Sequence, residues 1–155
     1  MTSLSGKVAI VTGSSRSIGR AIAERLGRDG ANVVVTYAGN RGKAEEVVSV
    51  IKANGSDAIA LQVDLAKLDD IRCLFQNTLS QFGQLDILVI SDGAPRLVKP
   101  LASTTEEEFD SVFTFNAKGN FFALQEAAKH MADGGRIVTF STPYRTHLTS
   151  LQVLN

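Results

Sequence analysis

Four consecutive apolar residues, Val8-Ala9-Ile10-Val11, run directly into Thr12-Gly13-Ser14-Ser15-Arg16-Ser17-Ile18-Gly19, and this junction constrains the fold more than any other stretch. An unbroken apolar run of this length suits a strand buried on both faces, as in a parallel sheet; a half-exposed strand would alternate. Ile18, Ala21, Ile22, Arg25 and Leu26 then recur at helical spacing as far as Asp29, and Gly30 closes the segment. A strand, a turn of small residues and a helix, in that order, form the context of a phosphate-binding turn. Small residues let the backbone approach a pyrophosphate, and the first N–H groups of the helix point at it.

The alternation continues along the chain. Asn32–Thr36 reads as a second strand rich in β-branched residues. Arg41 to Asn54 reads as a helix with Ala44, Val47, Val48 and Ile51 on one face and Gly55 as its stop. Ala58–Val63 is a third strand. Leu68, Ile71, Leu74, Phe75, Leu79 and Phe82 mark a third helix ended by Gly83, and Asp86–Ile90 is a fourth strand. After a loop at Pro95–Pro100, overlapping Ser/Thr-x-x-Glu capping boxes in Ser103–Glu108 open one long helix to about Met131. Gly134-Gly135 end it, and Arg136–Phe140 is a fifth strand. Five strands with four intervening helices predict an α/β fold with a Rossmann-like, doubly wound parallel sheet, whose ligands bind at the carboxyl ends of the strands.

Composition narrows the function classes. Of 155 residues, 44% are apolar and 21% charged, as in an ordinary globular domain. Sixteen basic and sixteen acidic residues cancel, which leaves no cationic excess for nucleic acid or a membrane surface. The single Cys73 excludes a disulfide framework and a cysteine metal site, so no metal is expected. No apolar run reaches the roughly 18 residues that span a bilayer. Met1–Lys7 lacks an apolar signal core, which predicts a cytosolic protein.

Thr-Gly-x-x-x-Gly-Ile-Gly after the first strand marks the short-chain dehydrogenase/reductases, and Thr12–Gly19 resembles it, with Ser17 in place of the middle glycine. Asp64-Leu65 resembles the family's adenine-contacting Asp-Val pair. Leu85–Val89 looks like its fourth strand, Phe115-Asn116-Ala117-Lys118-Gly119 like the segment with its active-site Asn, and Gly135–Val138 like its fifth strand. The resemblance covers about residues 5 to 142. Within the family the chain is similar to NADP-dependent ketone reductases, including acyl-carrier-protein ketoreductases and fungal naphthol reductases.

The resemblance implies a cofactor site made of Gly13, Ser15, Arg16, Ser17, Ile18 and Gly19 in the turn, and of Tyr37, Ala38, Asn40 and Arg41 after the second strand. Asp64 and Leu65 after the third strand and Ser91 and Gly93 after the fourth complete it. NAD-specific sites place a carboxylate at the end of the second strand, where it would repel a 2′-phosphate. Thr36-Tyr37-Ala38-Gly39-Asn40-Arg41 has no acid there, and Arg16 offers a guanidinium whose fork suits phosphate, so NADP is the expected cofactor. The expected partners are NADP(H) and a small carbonyl or alcohol substrate; homo-oligomerisation is left open.

The family's hydride chemistry uses a Tyr as general acid/base, a Lys four residues on that lowers the phenol's pKa, a Ser that steadies the substrate oxygen and an Asn that supports a proton-relay water. Asn116 matches the Asn. Thr142 falls at the Ser position, with Ser141 as a one-residue alternative. The Tyr position falls at Asn155, and no Tyr-x-x-x-Lys occurs in the sequence; Tyr144 is followed four residues on by Leu148, and His147 reads as a surface residue. The fourth strand ends Ile90-Ser91-Asp92-Gly93 where the family has Asn-Asn-Ala-Gly. Asp92 either weakens dinucleotide binding by charge repulsion or points away and caps a turn.

Residues 1–142 are therefore expected to form a dinucleotide-binding domain that lacks the family's C-terminal strands and helices, followed by an atypical tail at 143–155. The expected function is NADP(H)-dependent reduction of a ketone or aldehyde, of which this chain carries the cofactor-binding half and is inactive alone. The alternative is a non-catalytic nucleotide-binding module or a truncated gene product. Without the partner elements of a complete relative, the fifth strand and the helix carrying Asn116 are expected to show uncovered apolar surface.

Overall fold

The computed structural model describes residues 3–92 and 100–140. Its elements alternate as the hydrophobic pattern requires: β1 (Val8–Val11), α1 (Ser17–Arg28), β2 (Asn32–Tyr37), α2 (Arg41–Ala53), β3 (Ala58–Gln62), α3 (Leu68–Phe82), β4 (Ile87–Ile90), α4 (Glu106–Phe113), α5 (Asn120–His130) and β5 (Arg136–Thr139). The strands form one parallel sheet in the order β3-β2-β1-β4-β5. Successive strands add outward from β1 in one direction as far as β3, and β4 then crosses to the other side of β1. Between β1 and β4 the crossovers therefore diverge, and a cleft opens at the carboxyl ends of those two strands.

The continuous apolar runs are explained by burial from both sides. Ile10, Val34, Leu88 and Ile90 face a core shared with Ile71, Leu74 and Phe75 of α3 and with Ala123 and Ala127 of α5. Their neighbours Val11, Val33, Val35 and Val89 face the opposite core, with Ala23 of α1 and Val47 and Ile51 of α2. Side chains still alternate along each strand, but both faces are apolar because each is covered by two helices.

Several expected boundaries shift by one residue where a terminal residue acts as a cap or leaves the ladder. Helix α1 begins at Ser17, α2 ends at Ala53 with Asn54 as its cap, β2 extends to Tyr37, and β3, β4 and β5 are each one residue shorter. A larger correction concerns the long helix expected from Ser103 to about Met131. A single 3-10 turn covers Leu101–Ser103, and the Ser103 hydroxyl donates to the Pro100 carbonyl at 2.9 Å, so Ser103 opens no capping box. Thr105 caps α4: the Glu108 N–H donates to Thr105 Oγ1, and the Thr105 N–H donates to Glu108 Oε2. Between α4 and α5 the backbone widens to π-helical geometry over Thr114–Gly119, which places Asn116 on an extra-residue bulge. Period-3.6 spacing cannot register such a bulge, because one inserted residue rotates the apolar stripe without breaking it.

Two surfaces stay uncovered among the described residues. All four residues of β5 are exposed, Ile137 and Val138 included, and no described strand pairs with its outer edge. Along α4 and α5, Phe109 and Phe113 stack with ring centroids 4.2 Å apart, yet both are about half exposed, as is Phe121. No described helix is long and apolar enough to cross a membrane.

The starts of β1 and β4 are tied together by Asp86, whose side chain is 7% exposed. It accepts hydrogen bonds from Lys7 Nζ at 2.9 Å, from the Val8 N–H at 2.9 Å and from Gln84 Nε2 at 2.8 Å. Burial pushes the carboxyl's pKa up, but these donors together outweigh it and hold the group below its ordinary value of 3.8. Asp86→Asn is expected to lower unfolding stability at pH 7 by about 1–3 kcal/mol. Because the folded-state pKa is depressed, the wild-type advantage is complete above pH 3.8 and vanishes as pH falls through the lower folded value. Urea unfolding at pH 7 and at pH 3 checks both statements.

Candidate functional site: a phosphate turn at the switch point

The turn after β1 is built from buried hydroxyls. Thr12, Ser14 and Thr36 are each at most 1% exposed. Ser14 Oγ donates to the Val11 carbonyl at 2.6 Å and accepts the Thr36 N–H at 2.9 Å. Thr36 Oγ1 accepts the Gly13 N–H at 3.0 Å. On the other side Thr12 Oγ1 accepts the N–H groups of Ser91, at 3.1 Å, and Asp92, at 3.2 Å, while Ser91 Oγ donates to the Thr12 carbonyl. The turn is thereby stitched to β2 on one side and to β4 on the other. Ser14 and Thr36 escaped the motif-based site; their signal was two hydroxyl residues flanking otherwise apolar strands.

Two glycines are required by this packing. Gly19 is buried in the first turn of α1, where a Cβ would lie 2.6 Å from the Gly13 carbonyl oxygen and 2.7 Å from Ser91 Oγ. Gly13 adopts φ +60°, and a Cβ there would strike the Asp92 carboxyl group, 2.8 Å from its Cγ. Helix α1 starts after Arg16, which is extended and provides no side-chain cap. Among the described residues no side-chain cap closes its first N–H groups, as an anion site requires.

A cavity of about 310 Å³ lies against this turn, lined by Gly13, Ser15 and Arg16, by Tyr37 at the end of β2, by Ala38, Gly39 and Asn40 after it, by Lys43 of α2 and by Asp92. Asn40 caps α2 by accepting the Lys43 N–H at 3.0 Å, which fixes where the Lys43 stem leaves the helix. Lys43 was not foreseen from sequence; its position three residues after the cap was the available signal. Ser17 and Ile18 sit exposed at the start of α1, with Ile18 62% exposed although it is apolar.

Other expected residues lie elsewhere. Arg41 is exposed and pairs with Glu45 at 3.3 Å, outside the cavity lining. Leu65 is 1% exposed within the core, and its carbonyl lies against Gly119 of the π-helical segment. Asp64 is half-buried, accepts the Ala66 N–H at 3.0 Å and lies 3.7 Å from Lys67 Nζ. Its charge reaches Asp92. Asn116 is half-buried in the bulge. Gly93, Ser141, Thr142, Tyr144, His147 and the expected boundary at 142/143 lie outside the described residues. The described residues contain no group of three or more His, Cys, Asp or Glu side chains placed to hold a metal.

This strand order, with a helix starting at the switch point, defines a Rossmann-like α/β domain. Residues 7–146 match the family profile described as short chain dehydrogenase, and the chain belongs to the short-chain dehydrogenase/reductase family. It is 48% identical over 139 residues to a short-chain dehydrogenase/reductase of Pestalotiopsis microspora, an alignment that covers 90% of this chain and 52% of that protein. Versicolorin reductase 1 of Aspergillus parasiticus is 49% identical over 139 residues, covering 90% and 53%. A solved short chain dehydrogenase from Burkholderia cenocepacia in complex with NADP superposes with a TM-score of 0.89 at 40% identity, covering 96% of this chain and 60% of that one. The chain thus spans about half the length of the curated relatives it matches.

Ser17 occupies the position of the family's middle glycine and adopts φ +50°, in the left-handed region that a Cβ disfavours. Relieving that strain outweighs glycine's larger backbone entropy. Ser17→Gly is expected to raise stability by about 0.5–1 kcal/mol. Thermal or urea unfolding of the variant would check this, and an unchanged or lower stability would contradict it.

Proposed function

We propose that this chain forms the NADP(H)-binding half of a reductase that reduces a ketone or aldehyde in the cytosol. The observation that carries this reading is the charge placed around the cavity. Arg16 and Lys43 line it, and the residues that follow β2 bring no carboxylate to it. The donor set fits the group: the uncapped start of α1 would hold the pyrophosphate, Arg16 and Lys43 the 2′-phosphate, and Tyr37 and Ala38 the walls beside it.

NADPH, when bound, supplies a hydride to the carbonyl carbon. In this reading Asn116 supports the water that relays a proton, and Thr142, or Ser141 beside it, steadies the carbonyl oxygen. The Tyr-x-x-x-Lys pair that delivers the proton in relatives of this type is not encoded in these 155 residues. The 155-residue chain is accordingly expected to bind cofactor without turning it over, which also accommodates a nucleotide-binding role without catalysis.

Fluorescence titration of the purified chain is expected to give an NADPH affinity at least about tenfold above that for NADH, since a charge-assisted contact contributes about 1.5–3 kcal/mol. Arg16→Ala should weaken NADPH binding by about 10–100-fold and leave NADH binding nearly unchanged. Equal or reversed cofactor preference in the wild type would overturn the assignment. In a spectrophotometric assay with simple ketones, no NADPH oxidation is expected, and measurable turnover would refute the claim that these residues bind without reducing.

A further inference from the structure

Asp92 is the charged cavity residue to which NADP(H) binding, as read above, assigns no task. It stands where the family's Asn-Asn-Ala-Gly pattern has alanine, so this chain departs from that pattern with a carboxylate. Its backbone is anchored by the hydrogen bond from its N–H to Thr12 Oγ1, and its carboxyl group lies directly over Gly13. Among the described residues that carboxylate accepts no hydrogen bond and has no cation within ion-pairing distance.

Four nearby protein donors are already engaged. The Gly13 N–H is given to Thr36, the Thr12 N–H to the Val89 carbonyl, the Ser14 hydroxyl to Val11 and the Ser91 hydroxyl to Thr12. The charged and titratable groups that surround Asp92 are Arg16 of the turn, Tyr37 at the end of β2, Lys43 of α2 and Asp64 after β3. Burial pushes the Asp92 carboxyl's pKa up, Arg16 draws it down, and the Asp64 charge pushes it up again. A half-buried carboxylate without a protein donor keeps its acceptor capacity open to the cavity, and a ligand hydroxyl would satisfy it. The cavity thus carries two cations, Arg16 and Lys43, together with one carboxylate acceptor, Asp92. A sugar that carries a phosphate and a free hydroxyl on adjacent carbons matches both.

We propose that Asp92 is a specificity-determining residue that accepts a hydrogen bond from the free 3′-hydroxyl of the adenosine ribose, beside the 2′-phosphate held by Arg16 and Lys43. The inference rests on the NADP(H) reading above. It means that β4 supplies the ribose-binding carboxylate that the end of β2 lacks, from a position where the cations offset its repulsion of the phosphate.

The test is calorimetric titration of the purified chain with adenosine 2′,5′-bisphosphate and with its 3′-deoxy analogue. Wild type is expected to favour the hydroxyl-bearing probe by about tenfold, and Asp92→Ala to bind both probes alike, at the level of the wild type with the deoxy probe. Asp92→Asn should fall between them, and thermal unfolding of the free variants reports whether they fold. The comparison of probes on the wild type needs no variant, so a folding failure leaves the test intact. Wild type that binds NADPH but does not separate the two probes overturns the Asp92 role alone. So does an Asp92→Ala chain that keeps the discrimination or binds the bisphosphate more tightly. Wild type that binds neither probe nor NADPH overturns the dinucleotide reading itself, and the Asp92 role with it.

Discussion

Thr12, Ser14 and Thr36 are polar yet almost wholly buried, and their hydroxyls carry the hydrogen bonds between the turn after β1 and the two strands beside it. A turn that leaves a parallel sheet and enters a helix strands several backbone groups away from water. Each one left unpaired would cost about 1–3 kcal/mol. Here side-chain oxygens on β2 and within the turn itself take up the Gly13 and Thr36 N–H groups, and Thr12 does the same for the first residues beyond β4. The walls of the cavity are held in place by those bonds. Remove them and Gly13, Gly19 and Asp92 lose the close approach that shapes the site.

That rigid frame lets a nearly neutral protein present a strongly polarised cavity. Net charge is zero, so no long-range field draws an anion in. Recognition depends on local placement: an uncapped helix start, Arg16, Lys43 and the carboxylate of Asp92 converge within one cavity. The left-handed backbone at Ser17 belongs to the same economy. The chain retains the turn's geometry without the glycine that would adopt it most easily, because the helix that follows and the strands that flank it over-determine the path.

Much of this was legible in the residues. The run at β1 announced burial on both faces, the helical stripes placed α1, α2 and α3, and the small residues from Gly13 to Gly19 announced the turn. Legibility failed where structure depends on contacts distant in sequence. The π-helical bulge at Thr114–Gly119 left no trace in the apolar spacing, and Ser103 looked as good a cap as Thr105 until its hydroxyl found the Pro100 carbonyl. Arg41 was expected at the end of β2 and Lys43 was not, yet Lys43 lines the cavity and Arg41 does not. Only the turn of α2 directs Lys43 into the cavity and Arg41 to Glu45.

Local patterning by itself determined the order of strands and helices, the phosphate turn and the family, because these depend on the periodicity and size of neighbouring residues. Tertiary structure alone decided which polar groups meet. Asp92 is 79 residues from Gly13 in the sequence and in contact with it in the fold, because parallel pairing of β1 with β4 brings their carboxyl ends side by side. Whether a carboxylate at that position caps a turn or faces the cavity as an open acceptor is set by that pairing and by the hydroxyls that have already claimed neighbouring donors.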